Sequence, residues 1–202
     1  PIAQTSADWN TWGELMNGTT APFADDANVT NVLSNSGTNS LYLFSGASQG
    51  AQDVILPFGA GAPYTFGIFE FSSMFYVNNN TGAYFNFQAE NVPGTTWSLD
   101  VKMDLGTIIL ENTGSATNYL TSTYPQGQWF ELKINCDLTN NIWELFIDGI
   151  SQGSFTNTVN QIASLDLYPI IGHEFYVDDI CYDYVPFTQS SFPYDMSAID
   201  LN

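Results

Sequence analysis

Alternation of apolar and polar residues with a period of two recurs in about a dozen short runs along this chain, and no helical period of three turns interrupts it. The clearest run is Phe69–Val77, where Phe69, Phe71, Phe75 and Val77 share one parity and Glu70, Ser72, Met74 and Tyr76 the other. Strict alternation places one set on a core and the other on a solvated face. Further strands are predicted at Ser40–Phe44, Asp53–Leu56, Ala83–Gln88, Trp97–Met103, Thr107–Glu111 and Tyr119–Thr123. The remainder fall at Trp129–Leu138, Ile142–Ile147, Gly153–Thr156, Ser164–Tyr168 and Phe175–Tyr184. Turn-forming clusters separate them, among them Asn78-Asn79-Asn80-Thr81-Gly82, Val92-Pro93-Gly94 and Asp148-Gly149. Many short strands joined by polar turns predict an all-β, antiparallel sandwich or barrel.

A chain of 202 residues fits one domain. The alternation covers residues 1–188 and stops at 189–202. That tail is either a linker toward a following module or a segment whose Phe192, Tyr194 and Met196 pack on the sandwich. Acidic residues number 21 against two lysines and no arginine, a net charge of −19. Phosphate backbones need clustered cations, so nucleic acid is excluded as a partner, and anionic membrane surfaces are disfavoured for the same reason. No apolar run is long enough to insert in a membrane as a helix. With aromatics at 15%, the chain has material for a real core despite its charge. A sequence starting at Pro1, poor in lysine and rich in Asn, Thr and aromatics, reads as a mature or excised segment of a secreted or cell-surface protein.

The order of motifs adds to this. "DWNTW", "ADDANVTN", "SGTNSLYL", "QDVILPFG", "FNFQ…VPGTTW", "QWFELKINCDLTNNIWELFIDG" and "FYVDDICY" together span roughly residues 9–184. They resemble the laminin-G-like, concanavalin A-like jelly-roll modules of secreted multidomain proteins from Bacteroidetes-type bacteria. The resemblance implies a two-sheet antiparallel β-sandwich of jelly-roll topology, carried within a larger multidomain protein and often holding a structural calcium ion.

Asp178 and Asp179 sit side by side in an apolar strand, so at least one is expected at the interior or its rim. A buried carboxylate needs a cation or several donors. With no arginine and both lysines on distant strands, Ca²⁺ is the available cation, and it prefers oxygen ligands; backbone N–H donors or a wet edge are the alternative. In the resembling modules the last-strand aspartate ligates calcium with loop residues near the N-terminus, which here implies Asp25, Asp26 and carbonyls around Ser36–Asn39.

On Ala83–Gln88 the core parity of Phe85 and Phe87 turns Tyr84, Asn86 and Gln88 outward. On Trp97–Met103, Trp97, Leu99 and Val101 are expected inward and Ser98, Asp100 and Lys102 outward. On Trp129–Cys136 the outward set is Trp129, Glu131, Lys133 and Asn135. If these strands share a sheet, its outer face combines rings that stack on sugars with amides and carboxylates that bind hydroxyls. A plain solvated face would alternate in the same way. The expected function is therefore a non-catalytic, calcium-stabilised recognition module for a glycan or another cell-surface ligand. The alternatives are a glycan-cleaving enzyme and a structural spacer. The Glu-x-Asp-x-x-Glu spacing of a same-strand glycosidase pair is absent; candidate carboxylates such as Asp100, Glu131 and Glu144 come from separate strands. The lone His173, in a turn, reads as structural. Cys136 and Cys181 are either two buried thiols or, on adjacent strands, a disulfide.

Overall fold

A computed structural model describes residues 1–46, 52–59 and 62–186, so the expected boundary at 188/189 lies outside the described residues. The chain begins with β1 (Asn10–Thr11) and one short helix, α1 (Trp12–Asn17), followed by β2 (Asn28–Thr30), β3 (Ser40–Phe44) and β4 (Val54–Pro57). Next come β5 (Ile68–Val77), β6 (Gly82–Gln88), β7 (Trp97–Asp104), β8 (Thr107–Asn112), a 3₁₀ turn at Thr113–Ser115 and β9 (Thr117–Thr123). The run closes with β10 (Trp129–Asp137), β11 (Ile142–Ile147), β12 (Ile150–Phe155), β13 (Ser164–Leu167) and β14 (Glu174–Val185).

These strands form two antiparallel sheets of seven, ordered β1-β4-β13-β6-β7-β8-β9 and β12-β11-β10-β5-β14-β3-β2. The fold is a β-sandwich jelly roll of concanavalin A type. Burial on β5 alternates residue by residue, with Phe69, Phe71, Phe75 and Val77 fully inside. They meet Phe85 and Phe87 from β6, with Phe71 edge-on to Phe87 at 5.3 Å and Phe75 stacked on Phe85 at 5.4 Å. Phe130, Leu132, Trp143 and Leu145 complete the second sheet's share of the core. The β11–β12 hairpin turns on Asp148-Gly149, both at positive φ (50° and 73°), the turn that matches the strand twist.

The two outer faces differ. On β10 burial alternates, whereas every residue of β6 is buried, so the outer face of the first sheet is shielded where β6 crosses it. The expectation of one polar face fails here: β6 and β7 lie in the first sheet and β10 in the second. Tyr84, Asn86 and Gln88 therefore stand on the opposite side of the molecule from Trp129, Glu131 and Lys133.

Bulges account for the other departures from strict parity. Gln88 pairs with Trp97 while Phe87 pairs with Leu99, leaving Ser98 as the extra residue and turning Trp97 outward. In β14 the register slips between Asp178 and Cys181, with Asp179 at φ 48°. Cys181 is consequently exposed while Cys136 is buried, each beside β5 but opposite different residues, and both are free thiols.

Candidate ligand-binding groove

Leu165 and Leu167 face the core, which sends Asp166 to the outer face of the first sheet; Phe85 and Phe87 do the same for Asn86, and Leu99 and Val101 for Asp100. Register aligns them in one row across β13, β6 and β7: Asp166 opposite Asn86, Asn86 opposite Asp100, then Glu111 on β8. Asp166 and Asp100 are each 3% exposed and Asn86 1%.

Buried polar groups require partners, and most here have them. Tyr84 donates its hydroxyl to Asp100 Oδ1 at 2.5 Å, and the Thr113 amide donates to Asp100 Oδ2 at 2.9 Å. Asn86 Nδ2 donates to Asp166 Oδ2 at 2.8 Å and to the Tyr84 oxygen at 3.3 Å. Gln88 Nε2 donates to Asn86 Oδ1 at 2.6 Å, and Gln88 Oε1 accepts from the Gly94 amide at 2.8 Å. Lys102 bridges Glu111 and the Thr113 hydroxyl at the rim. Two atoms stay outside this network: Asp53 Oδ1 and Asp166 Oδ1 are buried with no conventional donor. The two carboxyls bond to each other, an arrangement that needs one shared proton. Burial, and then the charge of Asp166, push Asp53 far above the usual carboxylate range, and burial raises Asp166 as well. Burial and the Asp100 charge likewise hold Tyr84 as the neutral phenol that donates.

The walls are aromatic. Trp12 leads α1, whose start is fixed by the Thr11 hydroxyl on the Glu14 amide (3.1 Å) and by Asp25 Oδ2 on the Gly13 amide (2.7 Å). The Trp12 amide also donates to the Asp53 carbonyl at 3.0 Å. Trp12 stacks on the outward Trp97, with ring centroids 6.5 Å apart and planes at 24°. Tyr84 meets Tyr168 edge-on at 6.3 Å. Together with Thr113, Gly114 and Ile170 these side chains enclose a groove of about 640 Å³ over Asp53, Asp100 and Asp166, within the usual range for a ligand site.

The remaining expected residues lie elsewhere. Trp129 heads a row across the second sheet, edge-on to Tyr76 at 5.7 Å, followed by Tyr176 and Tyr42. The rings tilt by 64°, 85° and 38° against their neighbours, so they pack on one another and offer no flat platform. Glu131 donates its backbone amide to Asp148, and Lys133 pairs with Glu70 at 2.8 Å.

The calcium set does not converge either. Asp178 and Asp179, with Asp8 and Asn39, line a separate depression of about 720 Å³. Asp178 is half-buried, on the outward parity next to Val177, and Asp179 is exposed in the bulge that follows it. Asp178 Oδ2 accepts the Asn35 and Ser36 amides at 2.8 and 3.2 Å, and Asp179 accepts the Asn35 side-chain amide at 2.8 Å and the Ser36 hydroxyl. Asp26 holds the Ala3 and Gln4 amides, both at 2.9 Å, and Asp25 holds α1. A cation requires converging oxygens, whereas donors converge on these four carboxylates. The four residues do not fit a single calcium site.

No protein-family model matches this sequence, and no curated protein does at a significant level. Solved structures do share the sandwich. Cellulose induced protein Cip1 superposes with a TM-score of 0.61 at 11% identity, over 83% of this chain and 91% of its own. The carbohydrate binding module CBM66 from Bacillus subtilis gives 0.55 at 10% identity, over 89% and 97%. The binding domain of botulinum neurotoxin serotype G gives 0.56 at 11% identity over 91% of this chain, which spans only 45% of that domain. At such identities the likeness concerns the fold.

Proposed function

We propose that this domain is a secreted or cell-surface, non-catalytic recognition module that binds a glycan in the groove of the first sheet. The observation that carries the reading is the pairing of aromatic walls (Trp12, Trp97, Tyr84, Tyr168) with a floor of fixed carboxylate and amide groups. Rings stack on the apolar faces of sugars, and oriented oxygens and amides bind hydroxyls. A carbohydrate binding module among the proteins of this fold supports it, as does the chain's resemblance to laminin-G-like modules of larger extracellular proteins. Affinity electrophoresis against a panel of soluble polysaccharides tests it: retardation by at least one polysaccharide, lost in Trp97→Ala and kept in Trp129→Ala, is the expected result. Retardation lost only in Trp129→Ala overturns the site.

One observation favours hydrolysis as the second reading. Asp166 and Asp100 are two strand spacings apart, roughly 9.5 Å between backbones, and an inverting glycosidase needs its carboxyls about 6.5–9.5 Å apart. Against it, both oxygens of Asp100 accept, from Tyr84 and Thr113, Asp166 Oδ2 accepts from Asn86 and Gln88, and Asp166 Oδ1 is buried beside Asp53, so no oxygen of the pair is open to activate water. Reducing-end release from any polysaccharide that is bound decides between the two.

A further inference from the structure

Gln88 is expected from its parity to face a ligand, yet it is fully buried and is not part of the groove's lining. Its carboxamide nonetheless joins the two recognition elements of the groove. At one end Oε1 accepts the Gly94 amide at 2.8 Å. At the other, Nε2 donates to Asn86 Oδ1 at 2.6 Å and to Asp166 Oδ2 at 3.4 Å. The carbonyl end therefore serves the wall and the amide end the floor. Gly94 belongs to the wall because the Trp12 ring rests against it, and Trp12 stacks on Trp97. Trp97 is itself the residue opposite Gln88 in the register. The connection from β6 to β7 is closed at its base by the Ala89 amide on the Thr96 carbonyl (2.9 Å) and by Gln161, which donates to the Ala89 carbonyl and to Glu90. The bond from Gly94 to Gln88 ties its far end to the floor. The residue type suits this task, since a carboxamide accepts on one side and donates on the other without charge. A methionine would offer neither bond, and an ionised glutamate could not donate to Asn86.

We propose that Gln88 is the positioning residue of the groove: without touching the ligand, it fixes the height of the Trp12–Trp97 wall over the polar floor. This rests on the glycan reading above for its consequence on binding; the hold on the wall needs no ligand. Both recognition elements are short-ranged. A gap of about 0.5–1 Å forfeits a quarter to a half of the attraction between two atoms, and a hydrogen bond is lost beyond about 3.5 Å. A sugar stacked on the wall reaches the floor only while the two keep their spacing, and Gln88 is bonded to both.

Nuclear magnetic resonance of the nitrogen-labelled protein tests this through the indole N–H signals of its five tryptophans, assigned by replacing each with Phe. In Gln88→Met the Trp12 and Trp97 signals should move while those of Trp129 and Trp143 stay. The polysaccharide retarded by the unaltered protein should bind that variant about ten-fold more weakly. Gln88→Glu keeps an acceptor for the Gly94 amide, so its Trp12 and Trp97 signals should move less than those of Gln88→Met. If neither variant folds, the unaltered protein still decides: the Gly94 amide should exchange its hydrogen more slowly than those of the exposed Asn91 and Val92. Equal exchange at the three overturns the proposal. A lowered melting temperature with all five indole signals unmoved also overturns it, because Gln88 would then serve stability alone. Shifted Trp12 and Trp97 signals with undiminished retardation overturn the groove as the glycan site and leave the hold on the wall standing. Retardation by no polysaccharide overturns the glycan reading, and the indole signals then decide the role of Gln88 by themselves.

Discussion

At the Asp53–Asp166 pair, protonation and folding are linked. Unfolded aspartates titrate near pH 4, but in the fold both are raised, Asp53 the more strongly. The folded chain therefore binds a proton that the unfolded chain has released, and this contribution is full below about pH 4 and is lost as pH rises. His173 works in the opposite sense. Burial pushes its imidazole down to about 4, so the folded chain keeps it neutral and its contribution is lost as pH falls below about 6.5. Asp53→Asn places an amide where the shared proton was. We expect thermal melts to show that variant more stable than the unaltered protein at pH 8 and nearly equal to it at pH 5; parallel curves would refute the shared proton. The free thiols give a second residue-level expectation. A thiol titration of the native protein should find only Cys181 reactive, because Cys136 is buried among core side chains; two reactive thiols would refute the assigned parity.

Single elements position the groove. Six residues make no stable helix alone, so α1 depends on its Thr11 cap and on Asp25, and through them it places Trp12. Gly94, at φ 77°, lies against the Trp12 ring, where an added Cβ would sit 2.7 Å from Cη2. Gly94→Ala is expected to cost about 1 kcal/mol in backbone conformation and to weaken glycan binding by displacing Trp12. Unchanged affinity with a lowered melting temperature would mean that Trp12 is not a contact. Elements of this kind were the least legible in the sequence. The strands of β5, β6, β10 and β11 follow from alternation nearly to the residue, because both their faces carry a consistent burial pattern. Trp97, Asp179 and Cys181 do not, because a bulge adds one residue and reverses everything beyond it, and nothing in the local composition marks it. Trp12 falls in a stretch with no period to read. Asp53 and Asp166 had no signal beyond their parity within short strands; a polar residue flanked by Leu165 and Leu167 was the available clue.

Over the whole molecule, the pattern alone gave an antiparallel all-β sandwich or barrel and the resemblance chose the two-sheet sandwich, whereas the split of polar faces between the two sheets was not readable. Alternation fixes which side of a strand is polar, but strand order is set by crossovers between distant segments. Net charge acts at this scale too. With −19 charges and two lysines, moderate salt is expected to raise the melting temperature through screening; identical melts at low salt and ~0.15 M NaCl would refute this. Calcium binding near Asp178 and Asp179 is retained as a separate proposal. A rise in melting temperature with Ca²⁺ but not with equal Mg²⁺, lost in Asp178→Asn, would establish it, and equal responses to both ions would reduce it to screening.

The most direct test of the groove is a crystal structure with a bound oligosaccharide. The structure predicts sugar rings against Trp12, Trp97 or the Tyr84–Tyr168 pair, with polar contacts to Asp53, Asp100 or Asp166. Sugar bound instead along Trp129, Tyr76 and Tyr176 on the opposite sheet, with the groove empty, would contradict it.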